Sequence, residues 1–170
     1  MKRELVLIRH TKSSWAVLNM RDFDRPLKKD RTDDALNMAQ YLKEQGLEPD
    51  LIICSPAVRT QQTAELFCEK LGYDFDQTVF DMRLYESSAN EYRQVISETD
   101  SKIKTLVVIG HNPSITDFFN QFMEPNLDEL PTTGVIWVEF DSDNWEIKNT
   151  TSGRLKKLMW PKILKMQTGR

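Results

Sequence analysis

The sequence predicts an α/β protein, a three-layer α/β/α sandwich on a mostly parallel sheet with a C-terminal antiparallel hairpin. Three observations carry that expectation. Short apolar runs alternate along the chain with segments of helical period. The first three runs are continuous rather than alternating, as expected of strands covered on both faces. Two further runs near the C-terminus flank a turn-rich stretch and read as a hairpin.

Residues 5–8, Leu-Val-Leu-Ile, form the first expected strand. Ala35, Met38, Ala39 and Leu42 then fall at i, i+3, i+4, i+7 on one helix face, behind Thr32 and the acidic pair Asp33-Asp34. Residues 51–54 repeat the strand pattern. Ser55-Pro56 offers a cap with proline at the first helical position, and Ala64, Phe67, Cys68 and Leu71 line the helix that follows. A weaker helix is expected over 89–98, where Ser88 and Glu91 have capping-box spacing. Residues 106–109 form the third strand. Ser114, three residues before Asp117, starts a helix whose Ile115, Phe118, Phe119 and Phe122 belong to the core. The hairpin arms are 135–140 and 145–149 around 141–144, and the basic run 154–165 with Lys156, Lys157 and Lys162 reads as a solvated tail.

Composition bounds the rest. A chain of 170 residues, 39% hydrophobic and without repeats or linkers, is expected to form a single domain over 1–170. Lys+Arg 23 against Asp+Glu 26 gives a net charge of −3, without the basic excess of a nucleic-acid partner. No apolar stretch approaches the ~20 residues of a membrane span. The run behind Met1-Lys2-Arg3 stops at Arg9-His10, too early for a signal peptide. Cys54 and Cys68 have no metal-ligand spacing and read as buried free thiols of a reducing compartment, so a cytoplasmic protein is expected. A monomer is the default.

Ligands of open parallel sheets bind beyond the carboxyl ends of the strands, so the residues just past each run carry the functional reading. They are Arg9-His10-Thr11-Lys12-Ser13, Ser55-Pro56 with Arg59-Thr60 close behind, and Gly110-His111-Asn112-Pro113. The chain has two histidines, and both stand at strand ends. With Arg9 and Arg59 they make a cationic, phosphate-sized pocket. A neutral imidazole is a good nucleophile near pH 7 and accepts a phosphoryl group on one nitrogen, while the other donates a hydrogen bond that fixes the tautomer. Guanidinium forks match phosphate oxygens and stay charged. Phosphoryl transfer asks mainly for positioning and charge stabilisation, so the cluster suffices without a metal or other cofactor.

Arg9-His10-Thr11, residues 55–64 (Ser-Pro-Ala-Val-Arg-Thr-Gln-Gln-Thr-Ala) and Gly110-His111-Asn112-Pro113 resemble, in order, the three motifs of the histidine phosphatase superfamily, which includes the phosphoglycerate mutases. Asp24-Arg25-Pro26-Leu27 and residues 130–134 resemble its short SixA-type branch of phosphohistidine phosphatases. The chain departs from that branch at Arg31, where glycine is common, which is expected to alter the start of a helix rather than the chemistry. The resemblance implies His10 as the phospho-accepting nucleophile, with Arg9, Arg59, His111 and Arg25 holding phosphate. Glu86, in Leu84-Tyr85-Glu86, is the candidate general acid, ahead of Asp22 and Asp24, although members of the short branch can lack one. Trp15 is a candidate rim contact.

The expected activity is metal-independent hydrolysis of a phosphoryl group through a phosphohistidine intermediate on His10, acting on phosphohistidine in a protein, with a phosphorylated protein or small phosphate ester as partner. The alternatives are a small-molecule phosphatase or mutase-like enzyme and a non-catalytic phospho-binding module. The intact histidine pair disfavours a mere binder. A two-histidine metal site would lack further ligands.

Overall fold

The structure is a computed structural model that describes residues 1–169. Its strands are β1 (Lys2–Arg9), β2 (Leu51–Cys54), β3 (Val79–Phe80), β4 (Thr105–Gly110), β5 (Val135–Asp141) and β6 (Gly153–Met159). Its helices are α1 (Thr32–Glu44), α2 (Val58–Leu71), α3 (Ala89–Ser97), α4 (Ser114–Phe122) and α5 (Pro161–Thr168). The strands form a single sheet in the order β3-β2-β4-β1-β5-β6. The pairs β3–β2, β2–β4 and β4–β1 are parallel, and β1–β5 and β5–β6 are antiparallel.

The unbroken apolar runs follow from burial on both faces. Successive strand side chains point to opposite sides, so Leu5 and Leu7 join Leu106, Val108, Tyr92, Val95, Ile115 and Phe118 in the core under α3 and α4. Val6 and Ile8 join Val107, Ile109, Ala35, Met38, Phe67 and Leu164 on the opposite face, under α1, α2 and α5. Cys54 and Cys68 are free and buried. The expected three layers are present. Register brings Arg9 level with Gly110, and Ile109 level with both Ile8 and Cys54. His10, Ser55 and His111 therefore emerge side by side at one sheet edge.

Four expectations need correction. Residues 145–149 do not form the second hairpin arm, which is β6. Trp145, Glu146 and Ile147 have strand-like alternation, but Trp145 and Ile147 are buried as a loop plug, and the Trp145 indole N–H donates to the Ile103 carbonyl at 2.9 Å. The run 154–165 is no solvated tail but carries β6 and the start of α5. Its lysines mark an edge strand, where charge discourages pairing with another sheet. Helix α2 starts at Val58 behind Ala57, not at Pro56, and the Ser55 hydroxyl accepts from the Ala57 N–H at 3.4 Å as well as meeting His111. Helix α3 starts after Ser88, but Ser88 makes no capping bond to the backbone and only meets Glu91 at 3.5 Å. Arg31 does occupy the start of α1 and pairs with Asp34 at 3.6 Å.

Candidate active site

The strand ends surround a cleft of about 440 Å³ whose lining includes Arg9, His10, Arg25, Arg59, Glu86 and His111. These six candidates and Trp15 therefore share one cavity, while Asp22 and Asp24, the lesser acid candidates, are not among its lining residues.

His10 is held from both sides. Its backbone N–H donates to the Gly110 carbonyl, and the Thr133 N–H donates to the His10 and Arg9 carbonyls. The next residue, Thr11, donates its N–H to the Thr63 hydroxyl on α2 and accepts from the Thr133 hydroxyl. Thr133 takes a left-handed φ of 59°, and Gly134 lies so tight that a Cβ there would stand 2.5 Å from the Pro131 carbonyl oxygen. This explains the segment 130–134 physically: it clamps the end of β1. The His10 Nδ1 lies 2.7 Å from the Thr11 carbonyl oxygen. A carbonyl only accepts, so Nδ1 carries the proton and Nε2 keeps its lone pair. Burial, followed by the charges of Arg59, Arg9 and Arg25, lowers the His10 pKa to about 4 against a bond to Thr11 that raises it, so the ring is neutral at pH 7.

The His111 ring lies 5.2 Å from that of His10, centroid to centroid. Its Nδ1 faces the Arg59 guanidinium at 3.4 Å and its Nε2 the Ser55 hydroxyl at 2.8 Å. Because a guanidinium only donates, Nδ1 accepts and Nε2–H donates to Ser55. Burial, then the neighbouring His10 and Arg59, lowers its pKa to about 3. The backbone N–H of His111 donates to the Tyr92 hydroxyl, which donates in turn to the Leu84 carbonyl. A side chain on Gly110 would strike the Tyr92 ring, so that small residue makes room for this support.

Asp22 organises the cationic wall. One carboxylate oxygen accepts from Arg25 at 2.8 Å, and the other accepts from Arg59 at 3.0 Å and from the Tyr85 hydroxyl at 2.9 Å. Its backbone carbonyl accepts a second Arg59 bond at 2.8 Å. Partial burial raises the Asp22 pKa, but the bonds from Arg25, Tyr85 and Arg59 outweigh it and hold the carboxyl at about 2. Arg25 also donates to the Ser14 carbonyl and the Ser13 hydroxyl, and its guanidinium lies 3.2 Å from the centre of the Trp15 ring. Arg9 donates to the Leu130 carbonyl and to Glu129, while its Nε–H is buried without a hydrogen-bond partner among the described residues.

The sequence marks Asp22 only as a lesser acid candidate and gives no sign that it joins Arg25 to Arg59. It presents Ser55 as a helix cap and does not single out Tyr85 and Tyr92. Nothing in a local motif marks these residues: Asp22 meets Arg59 across 37 positions, Tyr85 meets Asp22 across 63, Ser55 meets His111 across 56 and Tyr92 meets His111 across 19. Glu86 lines the cleft, exposed and at a left-handed φ of 49°. Among the described residues no group of three or more His, Cys, Asp or Glu side chains converges as a metal site, and no helix is long and apolar enough to cross a membrane.

A family model described as the histidine phosphatase superfamily (branch 1) matches residues 5–104. An uncharacterized chloroplastic protein of Arabidopsis thaliana is 29% identical over 159 residues, covering 89% of this chain and 72% of the relative. The structure of the protein histidine phosphatase SixA complexed with tungstate superposes with a TM-score of 0.79 at 20% identity, over 95% of this chain and 99% of that one. A protein of Agrobacterium tumefaciens assigned as phosphohistidine phosphatase SixA gives a TM-score of 0.78 at 24% identity, over 92% and 97% of the two chains. At these identities the structural likeness is one of fold.

Proposed function

The chain belongs to the histidine phosphatase superfamily, branch 1, and from that premise we propose that it hydrolyses phosphoryl groups by way of a phosphohistidine on His10, acting on phosphohistidine in a protein. The observation that carries this reading is the His10 tautomer. The Nδ1–H bond to the Thr11 carbonyl leaves a neutral imidazole with a free Nε2 lone pair in a cleft walled by arginines.

In the first step Nε2 attacks phosphorus, and the bond from phosphorus to the leaving group breaks as the new P–N bond forms. Arg9, Arg25 and Arg59 stabilise the equatorial oxygens. His111 steadies Arg59 through Nδ1 and belongs to the same phosphate-holding set. In the second step water attacks the phosphohistidine, releases inorganic phosphate and restores neutral His10. Neither step draws on a cofactor in this reading.

The leaving group decides how much acid help is needed. A phosphorylated imidazole protonated on its other nitrogen departs as neutral imidazole, whereas an ester oxygen must gain a proton. In this reading Glu86, which lines the cleft, gives that proton to an ester. The exposed Trp15 side chain in the cleft lining favours a protein surface over a small sugar phosphate. The name of the SixA neighbours supports the same substrate class. In this reading residues 1–170 act as a single domain.

The test compares kcat/KM for a phosphohistidine-bearing protein with that for small phosphate esters. The reading expects the phosphohistidine protein to be preferred by at least about tenfold. Equal or better turnover of a small ester would replace it with a small-molecule phosphatase.

A further inference from the structure

Trp15 sits oddly for its chemistry. It is 74% exposed, yet it belongs to the lining of the cleft that holds His10. Its backbone is not free to wander, because Ser13 bridges to Leu27 and the Ser14 N–H donates to the Pro26 carbonyl at 2.8 Å. One face of the indole lies on the Arg25 guanidinium, 3.2 Å from the ring centre. Arg25 is itself buried and fixed by Asp22, Ser13 and Ser14. The packing therefore covers one face of Trp15 on a rigid partner and leaves the ring otherwise in solvent. An indole stacked on an immobilised guanidinium has already given up most of its rotamer freedom, so a second flat group meets it at little further entropic cost.

We propose that the open face of Trp15 is a stacking platform for a planar leaving group, which makes this cleft prefer a phosphoryl group borne on a flat ring over one borne on an aliphatic chain. This deepens the phosphatase reading and rests on it for the meaning of "leaving group", but the platform itself is a property of binding. Arg25 has a double part in it: its guanidinium edge belongs to the phosphate wall, while its flat face sets the plane of the indole. Ring and phosphoryl group are thereby positioned together.

The test uses non-hydrolysable ligands, so it does not depend on turnover. Phenylphosphonate and methylphosphonate share the anionic head and differ in the flat ring. Their dissociation constants are measured by calorimetry on the full chain and on Trp15→Leu and Trp15→Phe. The proposal expects the wild type to favour phenylphosphonate by about five- to tenfold, Trp15→Leu to bring the ratio near one, and Trp15→Phe to restore most of it. Methylphosphonate affinity in each variant reports any disturbance of Arg25, and taking the ratio removes it. A wild-type ratio near one, or a ratio unchanged in Trp15→Leu, overturns the proposal. Absence of phosphatase activity, measured separately, would overturn the functional reading without touching the platform.

Discussion

The Asp22 carboxylate stands 3.0 Å from the Arg59 guanidinium, and its other oxygen stands 2.8 Å from Arg25. An acid in the middle of a phosphate-binding wall has two possible effects: it repels the incoming anion, or it fixes the forks that receive it. Geometry favours the second, because Asp22 also accepts from Arg59 through its backbone carbonyl and from Tyr85 through its carboxylate.

Asp22→Ala is therefore expected to lower kcat/KM by about 10- to 100-fold, the scale on which small misplacements in a site act. Steady-state kinetics check this beside a urea unfolding curve, whose midpoint should also fall because Asp22 pairs with the buried Arg25 and Arg59, so kinetics are read on the folded fraction. Tighter binding of inorganic phosphate by the variant, with activity kept, would show that the carboxylate competes with phosphate instead of bracing its site.

Both histidines titrate far below their ordinary value, His10 at about 4 and His111 at about 3, with burial as the largest cause. Since the chain has only these two, proton NMR of the imidazole signals reads them without overlap. Both should stay neutral from pH 8 down to pH 5. The sign for stability follows: the unfolded chain, with histidines near 6.5, binds more protons below that pH than the folded one. Stability is thus full above pH 6.5 and falls as the pH drops from 6.5 toward 4. A signal titrating near 6.5 would contradict the buried, neutral assignment.

Arg3 lies at the opposite end of β1, fully buried, and donates to four backbone carbonyls, those of Ser101, Ile103, Ser142 and Asp143. Its guanidinium also faces the Trp145 ring at 5.5 Å. Arg3→Met removes the guanidinium donor from all four carbonyls, with Ile103 keeping the bond from the Trp145 indole N–H, and is expected to cost about 3 kcal/mol in urea unfolding. Six residue steps of strand, roughly 20 Å, separate it from Arg9, so KM of the folded fraction should stay within about twofold. A large change in KM would show that the two ends of β1 are coupled.

Glu86→Gln separates the leaving groups. Hydrolysis of aliphatic phosphate esters should fall by about 10²-fold, the low end of general-acid contributions, while hydrolysis of phosphohistidine stays within about threefold. An equal loss on both substrates would assign Glu86 to binding rather than proton transfer.

Much of this site was legible because its chemistry follows the chain. Apolar strand runs end abruptly, and Arg9-His10 and His111 are the residues on which they end, so the parallel sheet alone brings them together. The unread part lies where partners are distant. Asp22 joins Arg59 across 37 positions and Tyr85 across 63, and no periodicity encodes such a bond. The hairpin failed for a different reason. Alternation in Trp145-Glu146-Ile147 reports which side chains are buried, but an irregular loop that buries every second residue gives the same signal as a strand. In β6 the lysines concealed the strand, since the Lys156 ammonium lies 4.3 Å from the centre of the Trp137 ring and pairs with Glu4 at 2.9 Å.

The central claim is that the phosphoryl group passes through His10, and rapid quench with a phosphohistidine protein labelled in its phosphoryl group tests it most directly. The account predicts acid-labile, alkali-stable label on the chain, approaching one equivalent, mapped to the peptide containing His10 and absent from His10→Ala, which should fold normally and lack turnover. Turnover without label on His10, or turnover retained by His10→Ala, would contradict it.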